Sequence, residues 1–143
     1  MSATVDTNVL IYAANNSDPV HGRARDLLER LALGPELLFV FWPSIMGFLR
    51  ISTSAGILPA PLTHGEALAA VADLIERPHV RTPSEQKGFL DLYRSTAPAG
   101  VSGRLVPDVH LATLMRQHGV SLIYTRDRSF RRFDGIKALD PFA

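Results

Sequence analysis

The sequence contains no cysteine. That excludes a disulfide framework and any thiolate-held metal. It has two lysines against thirteen arginines, and its net charge is +1, so no molecule-wide polyanion field is expected. The arginine excess reads either as phosphate recognition by the bidentate guanidinium fork or as genome composition; composition alone favours the second. No apolar run approaches the roughly 20 residues that cross a bilayer. The first residues lack a basic segment followed by an apolar one, so a secretory signal is not expected and the cytoplasm is the simplest location. Five histidines show no HxxxH-like spacing, which argues against zinc. What remains is a chain of 143 residues, 46% hydrophobic and 20% charged, read as one domain over 1–143 with its own core.

The pattern alternates between strand and helix. Thr4 and Val5 lead into Asp6, and an apolar helical pattern runs on to Ala14. A helix is expected over His21–Ala32, stopped by Gly34-Pro35. Leu37–Phe41 reads as a buried parallel strand, and a helix from Ile45 to about Thr53 follows Trp42-Pro43-Ser44. Thr63 and Glu66 have capping-box spacing ahead of a helix to Glu76. Val80–Thr82 is a brief strand, Ser84–Ser95 a helix, and 96–106 a loop without periodicity. Pro107–His118 is a helix, Ser121–Thr125 a strand, and Ile136–Leu139 the last strand. The expected class is α/β, with a central, mostly parallel sheet of four to five strands.

Three acids stand apart from those on amphipathic helix faces. Asp6 and Asp127 lie at or just after strand C-termini, where open α/β sheets hold ligands, and Asp108 opens a helix. Each also has a bland explanation, since Asp caps helices and complements their dipoles. Carboxylates gathered at one edge repel and call for a counter-charge. All-oxygen ligation suits Mg²⁺ or Mn²⁺, which lowers the pKa of bound water and stabilises phosphate charge. Phosphodiester hydrolysis is the chemistry that follows.

Asp6-Thr7-Asn8, Pro107-Asp108 with Leu111-Ala112, and Thr125-Arg126-Asp127 with Phe130, taken together, resemble the PIN-domain ribonucleases. Chain length and Arg50-Ile51-Ser52-Thr53 are most similar to VapC toxins of bacterial toxin–antitoxin pairs. The resemblance implies a three-layer α/β/α sandwich, a Mg²⁺- or Mn²⁺-dependent acidic site, RNA as substrate, a homodimer and a cognate VapB-type antitoxin. Asp6, Asp108 and Asp127 match the catalytic, metal-binding acids. Asn8 and Thr125 match polar positions that orient a carboxylate or the metal's water.

One position departs from that pattern. The family usually places a Glu in the helix after the second strand, where this chain has Gly47 within Met46-Gly47-Phe48-Leu49-Arg50. The site then works with three acids, or the chain is an RNA- or antitoxin-binding module without cleavage. A third reading, a phosphatase with Asp6 as nucleophile, needs a second Asp two residues on, and that residue is Asn8. Arg104, Arg126 and Arg128 are the candidate RNA contacts, while Arg131 and Arg132 read as a solvated charge run. Trp42 and Phe48 are expected in the core, and Leu49, Ile51, Ile57 and Leu58 are candidates for a dimer or antitoxin groove.

Overall fold

The computed structural model describes residues 1–143. Strands β1 (Ala3–Val5), β2 (Leu38–Phe39), β3 (Val80–Arg81), β4 (Leu122–Tyr124) and β5 (Lys137–Leu139) form one sheet in the order β3-β2-β1-β4-β5. Every pairing is parallel, with Thr4 beside Phe39 on one side and Ile123 on the other. All strand C-termini therefore share one edge. The chain builds outward from β1 to β2 and β3, then returns to lay β4 on the other side of β1. That reversal opens a crevice beyond the ends of β1 and β4.

Helices α1 (Thr7–Ala14), α2 (His21–Ala32), α3 (Trp42–Ser52) and α4 (His64–Ile75) cover one face, and α5 (Phe89–Thr96) and α6 (Val106–Gln117) the other. The strands sort their side chains by period two. Leu38 and Val40 join Val5, Val9, Leu27, Ile45 and Phe48 in one core, while Phe41 and Ile123 join Val109, Leu114, Met115 and Phe130 in the other. Helix α6 is apolar on most of its circumference, with Val109 and Leu111 to Met115 all buried. The capping box forms as its spacing requires: Thr63 Oγ1 accepts from the Glu66 N–H at 3.1 Å, and the Thr63 N–H donates to Glu66 Oε1 at 2.9 Å. A cap of this kind stabilises by about 1 kcal/mol.

Three local expectations change. The helix expected from Ser84 begins at Phe89, after Gly88 turns the chain at φ +85. The end of α6 holds the preceding segment open: Gln117 Oε1 accepts from the Gln86 N–H at 2.8 Å, and His118 Nε2 lies 2.9 Å from the Ser84 carbonyl. Secondly, the 96–106 loop contains a 3-10 turn at Gly103–Leu105 that runs directly into α6. Thirdly, Trp42 is 41% exposed whereas Phe48 is buried. Trp42 opens α3 as the chain leaves the sheet, one residue beyond the buried Phe41. No helix is long and apolar enough to cross a membrane.

Candidate active site

Asp6 sits where β1 ends and α1 begins. Its extended backbone makes it the N-cap, and Oδ1 accepts from the Val9 N–H at 3.1 Å. The other oxygen, Oδ2, accepts from the Thr125 hydroxyl. One carboxylate thus caps a helix and faces the end of β4, so the two readings of Asp6 are compatible. It is only 7% exposed with both oxygens engaged, which presents it poorly as a nucleophile.

Thr125 is buried at the end of β4. A hydroxyl has one proton to give and lone pairs to receive. The proton goes to Asp6, and Oγ1 accepts from the Asp127 N–H at 2.9 Å. Asp127 Oδ1 in turn accepts from the Ser129 N–H at 2.8 Å, and the Ser129 hydroxyl donates to Asp108 Oδ2 at 2.7 Å. Five residues from three parts of the chain are joined in one hydrogen-bonded line at the crevice. Asp108 reaches it from the first turn of α6, half-buried.

Burial pushes the Asp6 pKa above the ordinary carboxylate range. Bonds from the Thr125 hydroxyl and from the Val9 and Asn8 N–H groups pull against that shift, and the Asp127 charge adds to it. Burial likewise raises Asp108; the Ser129 bond opposes this, Asp127 reinforces it, and the Arg132 charge opposes it. Asp127 is therefore felt by both other acids. Like charges held close in a partly desolvated crevice favour a proton or a cation between them. The donor set is oxygen only, which fits a hard divalent ion. No three His, Asp or Glu side chains are grouped as the ligands of one ion. Mg²⁺ commonly takes one or two carboxylates directly and fills its shell with water and substrate oxygens, so an all-oxygen set that does not close on one ion from three sides still suits it.

The remaining candidates divide. The Asn8 side chain is exposed and makes no hydrogen bond within the chain; at the second position of α1 it points to solvent, and it is the Asn8 N–H that favours the charged form of Asp6. Arg104, on the 3-10 turn ahead of Asp108, and Arg128, on the 3-10 turn at Arg128–Arg132, are exposed. Arg126 is exposed too, but its guanidinium lies over the rings of Tyr12 and Phe142, at 5.8 and 5.7 Å from their centroids. Arg132, read from sequence as part of a solvated run, donates from Nε to the Ser129 carbonyl at 3.0 Å and lends its charge to Asp108. Sequence reasoning missed Ser129. The available signal was its place two residues after Asp127, where an Asp side chain receives a backbone N–H.

Gly47 faces Thr7, the residue after Asp6. A Cβ there would lie 3.0 Å from Thr7 Oγ1 and 3.1 Å from Thr7 Cγ2. The Thr7 side chain occupies the space where an acid from α3 would begin, and its hydroxyl donates to the Ser44 carbonyl at 3.4 Å.

The PIN domain model matches residues 3–136. Ribonuclease VapC48 of Mycobacterium tuberculosis is 43% identical over 144 aligned residues, covering 100% of this chain and 99% of the relative. Among solved structures, Mycobacterium tuberculosis VapC20, described as a sarcin–ricin loop cleaving toxin, has a TM-score of 0.67 at 19% identity and covers 94% of this chain and 98% of its own. VapBC2 from Rickettsia felis, bound to a DNA fragment from its promoter, has a TM-score of 0.68 at 14% identity, with 96% of this chain and 97% of that one covered. At those identities the two structures bear on the fold alone.

Proposed function

The chain belongs to the PIN-domain family, and on that footing we propose that it is a divalent-metal-dependent ribonuclease serving as the toxin of a toxin–antitoxin pair. The observation that carries the reading is the hydrogen-bonded line from Asp6 through Thr125, Asp127 and Ser129 to Asp108. It draws three acids from distant parts of the chain to the sheet's switch point, and a cap or dipole role for each acid separately gives no reason for that.

Asp6, Asp108 and Asp127 would hold Mg²⁺ or Mn²⁺, one or two of them directly and the rest through its waters, and the bound ion would supply an activated water and charge stabilisation at the phosphate. Thr125 fixes the orientation of the Asp6 carboxylate, and Ser129 that of Asp108. Arg104 and Arg128, exposed on the two segments that carry Asp108 and Asp127, receive RNA phosphates. The name of the VapC48 relative supports RNA as the substrate, and the VapBC2 assembly supports a VapB-type antitoxin as partner. A homodimer in the cytoplasm completes the reading, on the family resemblance.

Gly47 favours a second reading, a module that binds RNA or antitoxin without cleaving, because no carboxylate from α3 reaches the crevice. Incubating labelled total RNA with the protein in Mn²⁺, Mg²⁺ or EDTA, beside Asp6→Asn, decides between them. Metal-dependent cleavage that Asp6→Asn abolishes supports the ribonuclease. RNA binding with no cleavage in either metal supports the module, and undiminished cleavage in EDTA overturns the metal assignment.

A further inference from the structure

Two arginines outside the acidic line are held in an unusual way. Arg126 emerges from the end of β4 between Thr125 and Asp127, and Phe142 follows β5 at the same sheet edge. Asp140 Oδ1 accepts from the Phe142 N–H at 2.9 Å, turning the chain back so that the Phe142 ring meets Tyr12 of α1 edge-on, centroids 5.9 Å apart. Phe142 is 9% exposed. Arg126 lies over both rings, and Arg23 in the first turn of α2 lies 5.5 Å from the Phe142 centroid.

Elsewhere the arginines that hold fixed positions do so by giving away their donors. Arg77 binds Glu29 and Asp73, Arg94 binds Asp91, and Arg81 and Arg132 bind carbonyls. Arg23 and Arg126 have neither a carboxylate partner nor a side-chain hydrogen bond, and both are exposed. These cation–π contacts restrain the guanidiniums while leaving their N–H forks free. Restraint before binding lowers the entropy lost when a fork takes a phosphate. Tyr12 lies in the second turn of α1, so at 1.5 Å per residue the cluster stands about 9 Å along the helix from Asp6.

We propose that Arg23 and Arg126, braced on Phe142 and Tyr12, form a phosphate-binding site for the single-stranded RNA backbone leading away from the three carboxylates. The proposal rests on the ribonuclease reading for its ligand. The site positions the substrate strand and takes no part in the chemistry. It recognises phosphate, with no base readout, so it tolerates any sequence in that stretch.

The test is binding in EDTA, followed by fluorescence anisotropy of a fluorescein-labelled single-stranded RNA oligonucleotide between about 50 and 200 mM salt. Arg23→Gln should weaken binding about fivefold to tenfold and reduce the log affinity–log salt slope by about 0.7, the loss of one phosphate contact. Arg23→Lys should restore the slope and only part of the affinity, because the ammonium keeps the charge without the fork. Phe142→Leu should weaken binding by a similar factor, and Phe142→Tyr should restore it. A purely structural role for Phe142 would be served by leucine. An unchanged slope in Arg23→Gln overturns the proposal, whether or not the variant loses affinity for a protein partner. So does wild-type affinity in Phe142→Leu, or failure of the wild-type chain to bind the oligonucleotide. The ribonuclease reading is judged separately, by metal-dependent cleavage of total RNA by the wild-type chain.

Discussion

The Thr125 hydroxyl donates to Asp6 Oδ2 across 119 residues of sequence, and Thr125 Oγ1 accepts from the Asp127 N–H at 2.9 Å. One side chain thereby sets the orientation of one acid and the backbone that carries another.

Thr125→Val keeps the shape of this side chain and removes its hydroxyl. It leaves the buried Asp6 Oδ2 without its donor and the part-buried Asp127 N–H without its acceptor, at a cost of about 2–3 kcal/mol. The melting temperature should fall by roughly 6–10 °C, and metal affinity or cleavage by about 10–100-fold. Thr125→Ser should recover both. Calorimetric titration with Mn²⁺ and thermal melts are the checks, and a valine variant with wild-type metal affinity would remove Thr125 from the site.

Stability should depend on pH and metal in opposite senses. The folded-state pKa values of Asp6 and Asp108 are raised above 3.8, so the folded protein holds these protons more tightly than the unfolded chain. Their contribution to stability is greatest at low pH and is lost as pH rises through the raised values. Metal-free protein should therefore lose this part of its stability on going from about pH 4 upward, and Mn²⁺ should return it at neutral pH. Asp108→Asn retains the acceptor for Ser129 and removes one repelling charge. It should flatten the pH dependence, raise the metal-free melting temperature by about 2 °C, and abolish cleavage. Melts in EDTA across pH would show this, and a melting temperature lowered by Asp108→Asn would contradict it.

Gly47 is tied to Thr7 by packing. In an exposed helix Gly→Ala gains about 1 kcal/mol, but here the new methyl would press on Thr7 Oγ1 at 3.0 Å and Cγ2 at 3.1 Å. Gly47→Ala should be neutral to destabilising by about 1 kcal/mol in the wild-type chain. In a Thr7→Ala background both crowding atoms are gone, and the same substitution should stabilise by about 1 kcal/mol. The double-mutant cycle isolates the coupling. A coupling near zero would mean that the helices part freely and that an acid at position 47 can be accommodated.

Arg104 is exposed on the turn that leads into Asp108. Arg104→Gln should lower RNA affinity and reduce the salt slope by about 0.7 without altering the melting temperature. An identical slope would place Arg104 outside the phosphate path.

Sequence made the architecture legible wherever a local signal coincided with the tertiary outcome. Thr63 and Glu66 announce α4, and the acid after β1 points to the crevice because it stands where parallel sheets hold ligands, although the same acid also caps α1. Ser84–Gln86 misled, since their helical pattern is overridden by bonds from Gln117 and His118, which only folding brings near. Ser129 and Arg132 were hidden for a related reason. Their partners, Asp108 Oδ2 and the Ser129 carbonyl, act through side-chain reach in a 3-10 turn, and residue type alone does not encode that geometry. Trp42 looked like core by hydropathy, but the chain leaves the sheet one residue too early to bury it.

Translation makes Asp6, where strand β1 ends, 119 residues before its hydroxyl partner, Thr125. A polypeptide stalled or cut anywhere before β4 carries the first acid without Thr125, Asp127 or Ser129, and so without an assembled acidic line. The acidic line is complete only once β4 and the turn after it have been made, so the site assembles long after its first acid is in place.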